Sequence, residues 1–256
     1  FITALCLVFS MVPVAFAAET DAGTYGGNIQ WSFDASTGVL TLAGAGDMEP
    51  SDSGYPWLAY KDAITQIVFA PTLTSIGDEA FYGCTALKEV QIPDTVQGIG
   101  AFAFGGCTAL ESVEIADGVT YIGMYAFDEC TALTNVTLPN TVTELSNTFD
   151  SCTALEHAVV PEGVTEMQDT FAQCYNLKTV ELPSTLVRLS GTFADCRSLT
   201  AVALPEGLDG IGTNTFFGCI SLDDRRSLHH WHDLYHNGLG GNGDADALMA
   251  QVDKLP

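Results

Sequence analysis

Positive charge is the scarcest feature of this chain. Its 256 residues carry 8 Lys and Arg against 32 Asp and Glu, for a formal net charge of −24. That balance repels phosphate backbones and anionic headgroups, which argues against nucleic acid and the membrane surface as partners. Histidine is nearly as rare, with 5 residues, of which only His157 lies outside the span 229–236. Most of the chain therefore has no imidazole to activate a nucleophile. No Gly-Lys-Ser/Thr phosphate loop and no Gly-x-Ser-x-Gly elbow occurs. The expectation is a protein that is not an enzyme and holds no cofactor. Long apolar runs are missing too, apart from residues 1–17. The mature chain is expected to stay out of the membrane.

That opening run, "FITALCLVFSMVPVAFAAET", is uncharged until Glu19. It contains Ala15-Phe16-Ala17, the small-x-small form of a signal-peptidase site. Residues 1–17 read as the remnant of a secretory signal, with a membrane anchor as the alternative. The reading implies a secreted, extracellular chain associated with the cell surface.

What fills the chain is a repeat. Phe-x-x-Cys-x-x-Leu occurs seven times, with its cysteines at Cys84, Cys107, Cys130, Cys152, Cys174, Cys196 and Cys219. The interval between them is 23 residues at either end of the array and 22 in the middle. The lost residue is visible in "SIGDEAF" against "ELSNTF", where the step from Ile76 to Phe81 shortens to that from Leu145 to Phe149. Between motifs, alternation such as Val90-x-Ile92, closed by Pro93, reads as a short strand with one buried face. Val96 and Ile99 start a third apolar column, continued by Val119/Ile122, Val142/Leu145 and later pairs. No single unit can bury three columns, but stacked units can. The periodicity predicts a solenoid with a parallel β-sheet on one face. Short helices and turns carrying Phe-x-x-Cys are expected on the other.

The full pattern is Pro-x-x-Val-x-x-Ile-Gly-x-x-Ala-Phe-x-x-Cys-x-x-Leu-x-x-Val-x-Ile-Pro, nearly spelled out by residues 93–115. It resembles the BspA-type leucine-rich repeat of bacterial surface proteins, over residues 63–222. Residues 23–60 resemble the leader segment that precedes such arrays in secreted proteins of gut Firmicutes. The resemblance implies an α/β leucine-rich repeat solenoid at the cell surface. It also implies binding to host or neighbouring-cell macromolecules, and no catalysis.

The cysteines allow several readings. Equivalent Cα atoms in adjacent rungs lie about 4.8 Å apart, within disulfide reach. Equivalent side chains point the same way, however, and this opposes a bridge. Zinc wants four converging ligands where a ladder brings two thiols together. No His or Lys recurs beside the cysteines to favour a thiolate. A column of small buried thiols is the expectation.

Both ends of the array need covers. Ile29, Trp31 and Phe33 alternate on one side of "DASTG", and Leu40 and Leu42 on the other, as in a β-hairpin. With Tyr55, Trp57 and Tyr60, residues 18–62 read as an N-terminal β-hairpin cap on the 63–222 solenoid. The rival reading is a platform for sugar rings on Trp31 and Trp57. After Leu222 the register fails, since Arg225 and Ser227 stand where the strand should be apolar. Residues 223–256 read as a C-terminal cap or a divergent tail. There His229, His232, Asp233 and His236 would share a helix face at a spacing that suits zinc or nickel, but with no second shell. "NGDADALMAQVD" approaches a calcium loop but has Ala247 where glycine belongs. No metal site is expected.

The expected function is macromolecular recognition or adhesion by a monomer. Its binding residues would be those that alternate with the buried ones on the sheet. They are Gln66, Glu89, Gln91, Ser112, Glu114, Asn135, Thr137, His157, Thr179 and Glu181. The expected partner is a protein on a host or neighbouring cell. A carbohydrate-binding surface module, or a structural spacer within a larger surface protein, are the alternatives.

Overall fold

The computed structural model describes residues 20–49 and 54–222. The expected signal remnant at residues 1–17 lies outside the described residues. So does the tail at 223–256, with its histidine group and calcium-like loop.

Four strands open the fold. β1 (Thr20–Tyr25), β2 (Ile29–Asp34) and β3 (Val39–Gly44) pair antiparallel, and β4 (Gln66–Phe69) joins β3 in parallel. The expected hairpin is β2–β3. Its turn is held locally: the Asp34 carbonyl accepts the Gly38 N–H at 2.8 Å, and the Asp34 carboxylate accepts the Ser36 hydroxyl and N–H at 2.7 and 2.8 Å. Those two bonds, the hydroxyl's first, hold the Asp34 carboxyl below its ordinary range. β1 was not legible, because "TDAGTY" has no apolar alternation and only Tyr25 is buried.

Each later rung contributes one front and one back strand. The front strands are Glu89–Ile92, Ser112–Ile115, Asn135–Thr137, His157–Val159, Thr179–Glu181 and Ala201–Val202. They form a six-stranded parallel sheet. Its inward column is Val90, Val113, Val136, Ala158, Val180 and Val202, all buried. The third apolar column makes the back strands. Ser75–Ile76, Gly98–Ile99 and Tyr121–Ile122 form one parallel sheet; Glu144–Ser146, Glu166–Gln168, Arg188–Ser190 and Gly210–Ile211 form a second. The break between the two falls where the rungs shorten from 23 to 22 residues.

Where short helices were expected, the described residues hold turns. One 3-10 turn, Pro56–Tyr60, is their only helical element. Phe-x-x-Cys-x-x-Leu does make successive three-residue steps: the Cys84 N–H reaches the Phe81 carbonyl and the Leu87 N–H the Cys84 carbonyl, both at 3.1 Å. But the second residue after each phenylalanine is left-handed, with φ from 55° at Glu129 to 76° at Gly218. The second residue before it is left-handed too, as at Glu79 (56°), Asn147 (52°) and Asp169 (45°). A helix cannot propagate through such positions.

This alternation aims N–H groups at the next rung. Phe102, Phe104 and Gly106 donate to the carbonyls of Met124, Ala126 and Asp128 at 3.0, 2.8 and 2.8 Å. Asn147, Phe149 and Ser151 do the same to Gln168, Thr170 and Ala172. Inside the corner the phenylalanine rings stack, with centroids 5.2 to 6.1 Å apart from Phe81 through Phe216. The three shortened corners and the last one place a buried threonine before the ring, where Ala80, Ala103 and Ala126 stand in the first three. The hydroxyls of Thr170 and Thr192 donate back to the carbonyls of Leu145 and Met167 at 2.9 and 3.0 Å. No buried hydroxyl is wasted there.

The first corner has no preceding phenylalanine, and Trp57 replaces it. In later rungs the carbonyl before each phenylalanine accepts the N–H of the phenylalanine one rung back. Ala80 instead accepts the Trp57 indole N–H at 2.8 Å, and the Trp57 ring lies against Phe81 at 6.2 Å and 24°. Trp57 has 0% exposure and Trp31 8%. Their π-faces are spent on the core, which corrects the sugar-platform reading of these two residues.

The rings dominate the energetics. Burying one phenylalanine contributes about 1.5–3 kcal/mol and a stacked pair about 0.5–1.5 kcal/mol more. The inter-rung pair Lys178–Glu156, at 2.7 Å, is more than half exposed on both sides. Phe149→Ala is therefore expected to cost about 3–5 kcal/mol in urea unfolding. Lys178→Ala should cost less than about 1 kcal/mol. Comparable losses from the two would refute the ring column as the main source of stability.

Candidate recognition surface

Because successive side chains alternate across a strand, the front sheet presents two outward rows. One row runs Glu89, Ser112, Asn135, His157, Thr179, and the other Gln91, Glu114, Thr137, Val159, Glu181, each held in register by the ladder. Nine of the ten expected binding residues stand there. All are exposed except His157, which is half-buried. Gln66 is the exception: it sits on β4, which is hydrogen-bonded to the N-terminal sheet. Val159 is the large apolar residue exposed on the outward rows of the front strands, and Val68 is its counterpart on β4.

The rows are cross-linked by polar contacts. Gln91 donates to the Glu114 carboxylate at 3.3 Å, and His157 Nδ1 lies 2.7 Å from the Thr179 hydroxyl. His157 Nε2 stands 3.8 Å from Glu181. Hydroxyl, imidazole and carboxylate thus lie in sequence, but 3.8 Å is beyond a hydrogen bond and the group stands on an open sheet. It has neither the alignment nor the water exclusion that acyl transfer needs. Among the described residues no group of three or more His, Cys, Asp or Glu could hold a metal ion. None of their helices is long and apolar enough to cross a membrane.

The cysteines lie behind this surface and serve the core. From Cys107 to Cys219 each Sγ–H donates to the carbonyl of the phenylalanine one rung back, at 3.1 to 3.3 Å. That carbonyl already accepts the N–H of the cysteine in its own rung, so the thiol takes its second lone pair. Burial pushes the Cys107 and Cys219 thiols up to about 12, and raises the others as well. A thiol so shifted is a poor nucleophile at neutral pH.

These features match one family. The sequence profile of the BspA type leucine-rich repeat region matches residues 58–170 and 167–227, in 6 copies. This chain belongs to the BspA-type leucine-rich repeat family. Among solved structures it is similar to the leucine-rich repeat protein of T. pallidum, with 27% identity and a TM-score of 0.63, covering 84% of this chain and 97% of that one. It is also similar to a leucine-rich repeat protein from Bacteroides ovatus, with 30% identity and a TM-score of 0.54, over 76% of this chain and 50% of that one. No curated protein matches. BspA-type family and fold are those of repeat proteins that are in general not enzymes and present surfaces for interaction.

A second exposed group escaped the sequence reading of this BspA-type array. Tyr82, Tyr121 and Met124 are exposed, and Phe102 and Tyr125 half-buried. All five occupy variable positions of the repeat. The signal was present as large apolar residues where most other rungs carry small or polar ones, Phe217 of the last rung excepted. Next to them Asp128 and Asp150 face each other across adjacent rungs. Burial first, then the Asp150 and Glu129 charges, push the Asp128 carboxyl up to about 6.

Two outcomes follow. Thiol titration of the folded protein should find all seven repeat cysteines free and slow to react, and denaturant should release them together. Thiols paired in the folded state would break the ladder. For Asp128 the folded pKa, about 6, lies above its ordinary 3.8. The folded state holds the proton more tightly, so this group's contribution is greatest below the ordinary value and is lost as pH rises through about 6. Asp128→Asn should raise the melting temperature at neutral pH and leave it unchanged in acid. A variant melting no higher than the parent at pH 7 would contradict this.

Proposed function

We propose that this chain is a recognition and adhesion module, displayed outside the cell, that binds protein ligands through the front sheet. The observation that carries the reading is the pair of outward rows, polar at every position but Val159, held in register on a ladder whose inner face is wholly committed to the core. A rigid scaffold with a variable outer face suits binding rather than turnover. Family membership supports it, since interaction surfaces are the general use of this fold. The uncharged residues 1–17 and the acidic composition support an extracellular setting. The carboxylates of Glu89, Glu114 and Glu181 would steer and orient a partner, more than they would supply raw affinity.

The test is adhesion of beads coated with the whole chain to cultured epithelial cells and to bacterial cells. Glu89→Lys, Glu114→Lys and Glu181→Lys together should reduce adhesion at least about tenfold, as reversal of charge across an interface does. Protease treatment of the target cells should abolish adhesion, and glycosidase treatment should leave it. Undiminished adhesion of the triple variant would sink the sheet-face assignment.

A further inference from the structure

The second rung is sunk between its neighbours. Residues 98–106 read Gly-Ile-Gly-Ala-Phe-Ala-Phe-Gly-Gly. Ile99 and Phe104 point into the core with 0% exposure. Phe102 is thus the one large side chain this rung turns outward. The equivalent stretch of the first rung carries Asp78, Glu79 and Tyr82. That of the third carries Tyr121, Met124, Tyr125, Asp128 and Glu129. The result is a shallow trough over this rung, into which Tyr82, Asp78 and Tyr121 of the neighbouring rungs lean.

Its lining is aromatic. Tyr82 lies across Gly105, where an added Cβ would meet its ring at 3.2 and 3.3 Å. Tyr121 leans from the other wall to within 3.9 Å of where a Gly98 Cβ would be. Phe102 stacks on Tyr125 at 4.8 Å and 12°, and meets Tyr82 edge-on at 6.2 Å. Tyr82, Met124 and Tyr121 are 45%, 47% and 60% exposed. Phe102 and Tyr125 hold left-handed φ of 53° and 60°. This is the backbone of every corner at that position, and it turns both side chains to the same face, where the two rings stack.

Its charge is mainly negative, with Lys61 beside Gly83 the neighbouring cation. Residues 70–137 contain nine carboxylates and a single cation, Lys88. The described cations of the later rungs, Lys178, Arg188 and Arg197, are each paired with a carboxylate. Exposed ring faces amid an excess of carboxylates, of which Asp78 also accepts the Ala101 N–H at 2.7 Å, attract cations twice over, by charge and by the ring quadrupole. A neutral glycan would use the rings and leave the carboxylates unmatched.

We propose that this trough binds an extended, arginine- or lysine-bearing polypeptide segment, its cations on Tyr82 and Tyr121 and beside Asp78, Glu79, Asp128 and Glu129. The site is separate from the front sheet, and its occupancy does not depend on the sheet binding a ligand.

The test is calorimetric titration of the whole chain with the synthetic peptides (Ala-Arg)5 and (Ala-Gln)5 and with cellohexaose. Only (Ala-Arg)5 should bind, and more weakly as salt rises. Tyr82→Ala with Tyr121→Ala keeps the net charge and should weaken binding at least about tenfold, as loss of aromatic anchors does. Ala101→Trp, which fills the floor, should do the same. Glu79→Gln with Glu129→Gln should weaken binding and flatten its salt dependence. The front-sheet triple charge reversal should be neutral for (Ala-Arg)5 when compared at high salt. If the tyrosine double variant, folded by circular dichroism, binds as the parent does, the attraction is diffuse and the proposal fails. Binding of cellohexaose in place of the peptide also overturns it.

Discussion

The fold depends on the one-way hydrogen bonding of the phenylalanine corner. A parallel strand offers N–H and C=O groups to both of its edges. The corner does not, because left-handed residues on both sides of the ring turn three N–H groups toward the next rung and three carbonyls toward the last. Left-handed backbone costs about 1–2 kcal/mol at each non-glycine residue. Alone, one rung would carry that strain with no compensation. Stacked, it gains three backbone hydrogen bonds and a buried ring, and the sum turns favourable. Rungs therefore order one another, and the array has a donor end and an acceptor end. The acceptor end is the first corner, which is why an indole fits there: Trp57 brings a ring for Phe81 and an N–H for Ala80 in one side chain.

The same corner accounts for the cysteine. The site behind the phenylalanine is closed on all sides and offers one free carbonyl lone pair. A thiol is small and apolar enough to bury cheaply, and still donates weakly to that lone pair. A serine would make a stronger bond at a larger desolvation cost. The shortened corners do use hydroxyls, but at the threonine before the ring, where a carbonyl of the preceding back strand is in reach.

The apolar columns were legible because each is a strict period: Phe, Cys, Leu, Val and the third column land in the core, except that Ile211 and Cys219 of the last rung are half-buried. The solenoid and the front sheet follow from them. What the periodicity did not disclose is backbone conformation. A three-residue spacing looks helical, and only left-handed φ at residues such as Glu129, Ser151 and Gln173, none of them glycine, turns it into separate steps. Position within the rung also decided which aromatics are available. Trp31 and Trp57 were conspicuous by size but cover an open core. Tyr82 and Tyr121 occupy unremarked variable positions and stand outside. The outward sheet residues were legible from alternation alone, except Gln66, since alternation cannot say which sheet a strand joins.

The inner ladder is so fully specified that recognition has to reside in the variable positions, and these differ along the array. On the front sheet they are small and polar, and an exposed charge there is worth less than about 1 kcal/mol. In the trough they are rings already about half covered, each able to remove about 1 kcal/mol worth of apolar surface from water when covered fully. On the two proposals above, affinity would concentrate over the second rung, while the front rows would set orientation and reject like charge. The later rungs differ again, because their cations already neutralise neighbouring carboxylates across the rungs. A partner that needs negative potential finds it at the N-terminal end, where the ring-lined surface is also found. Negative charge and ring-lined area thus coincide in these first three rungs, whereas in the last rung the exposed Phe217 and Ile220 stand near the paired Arg197 and Asp195.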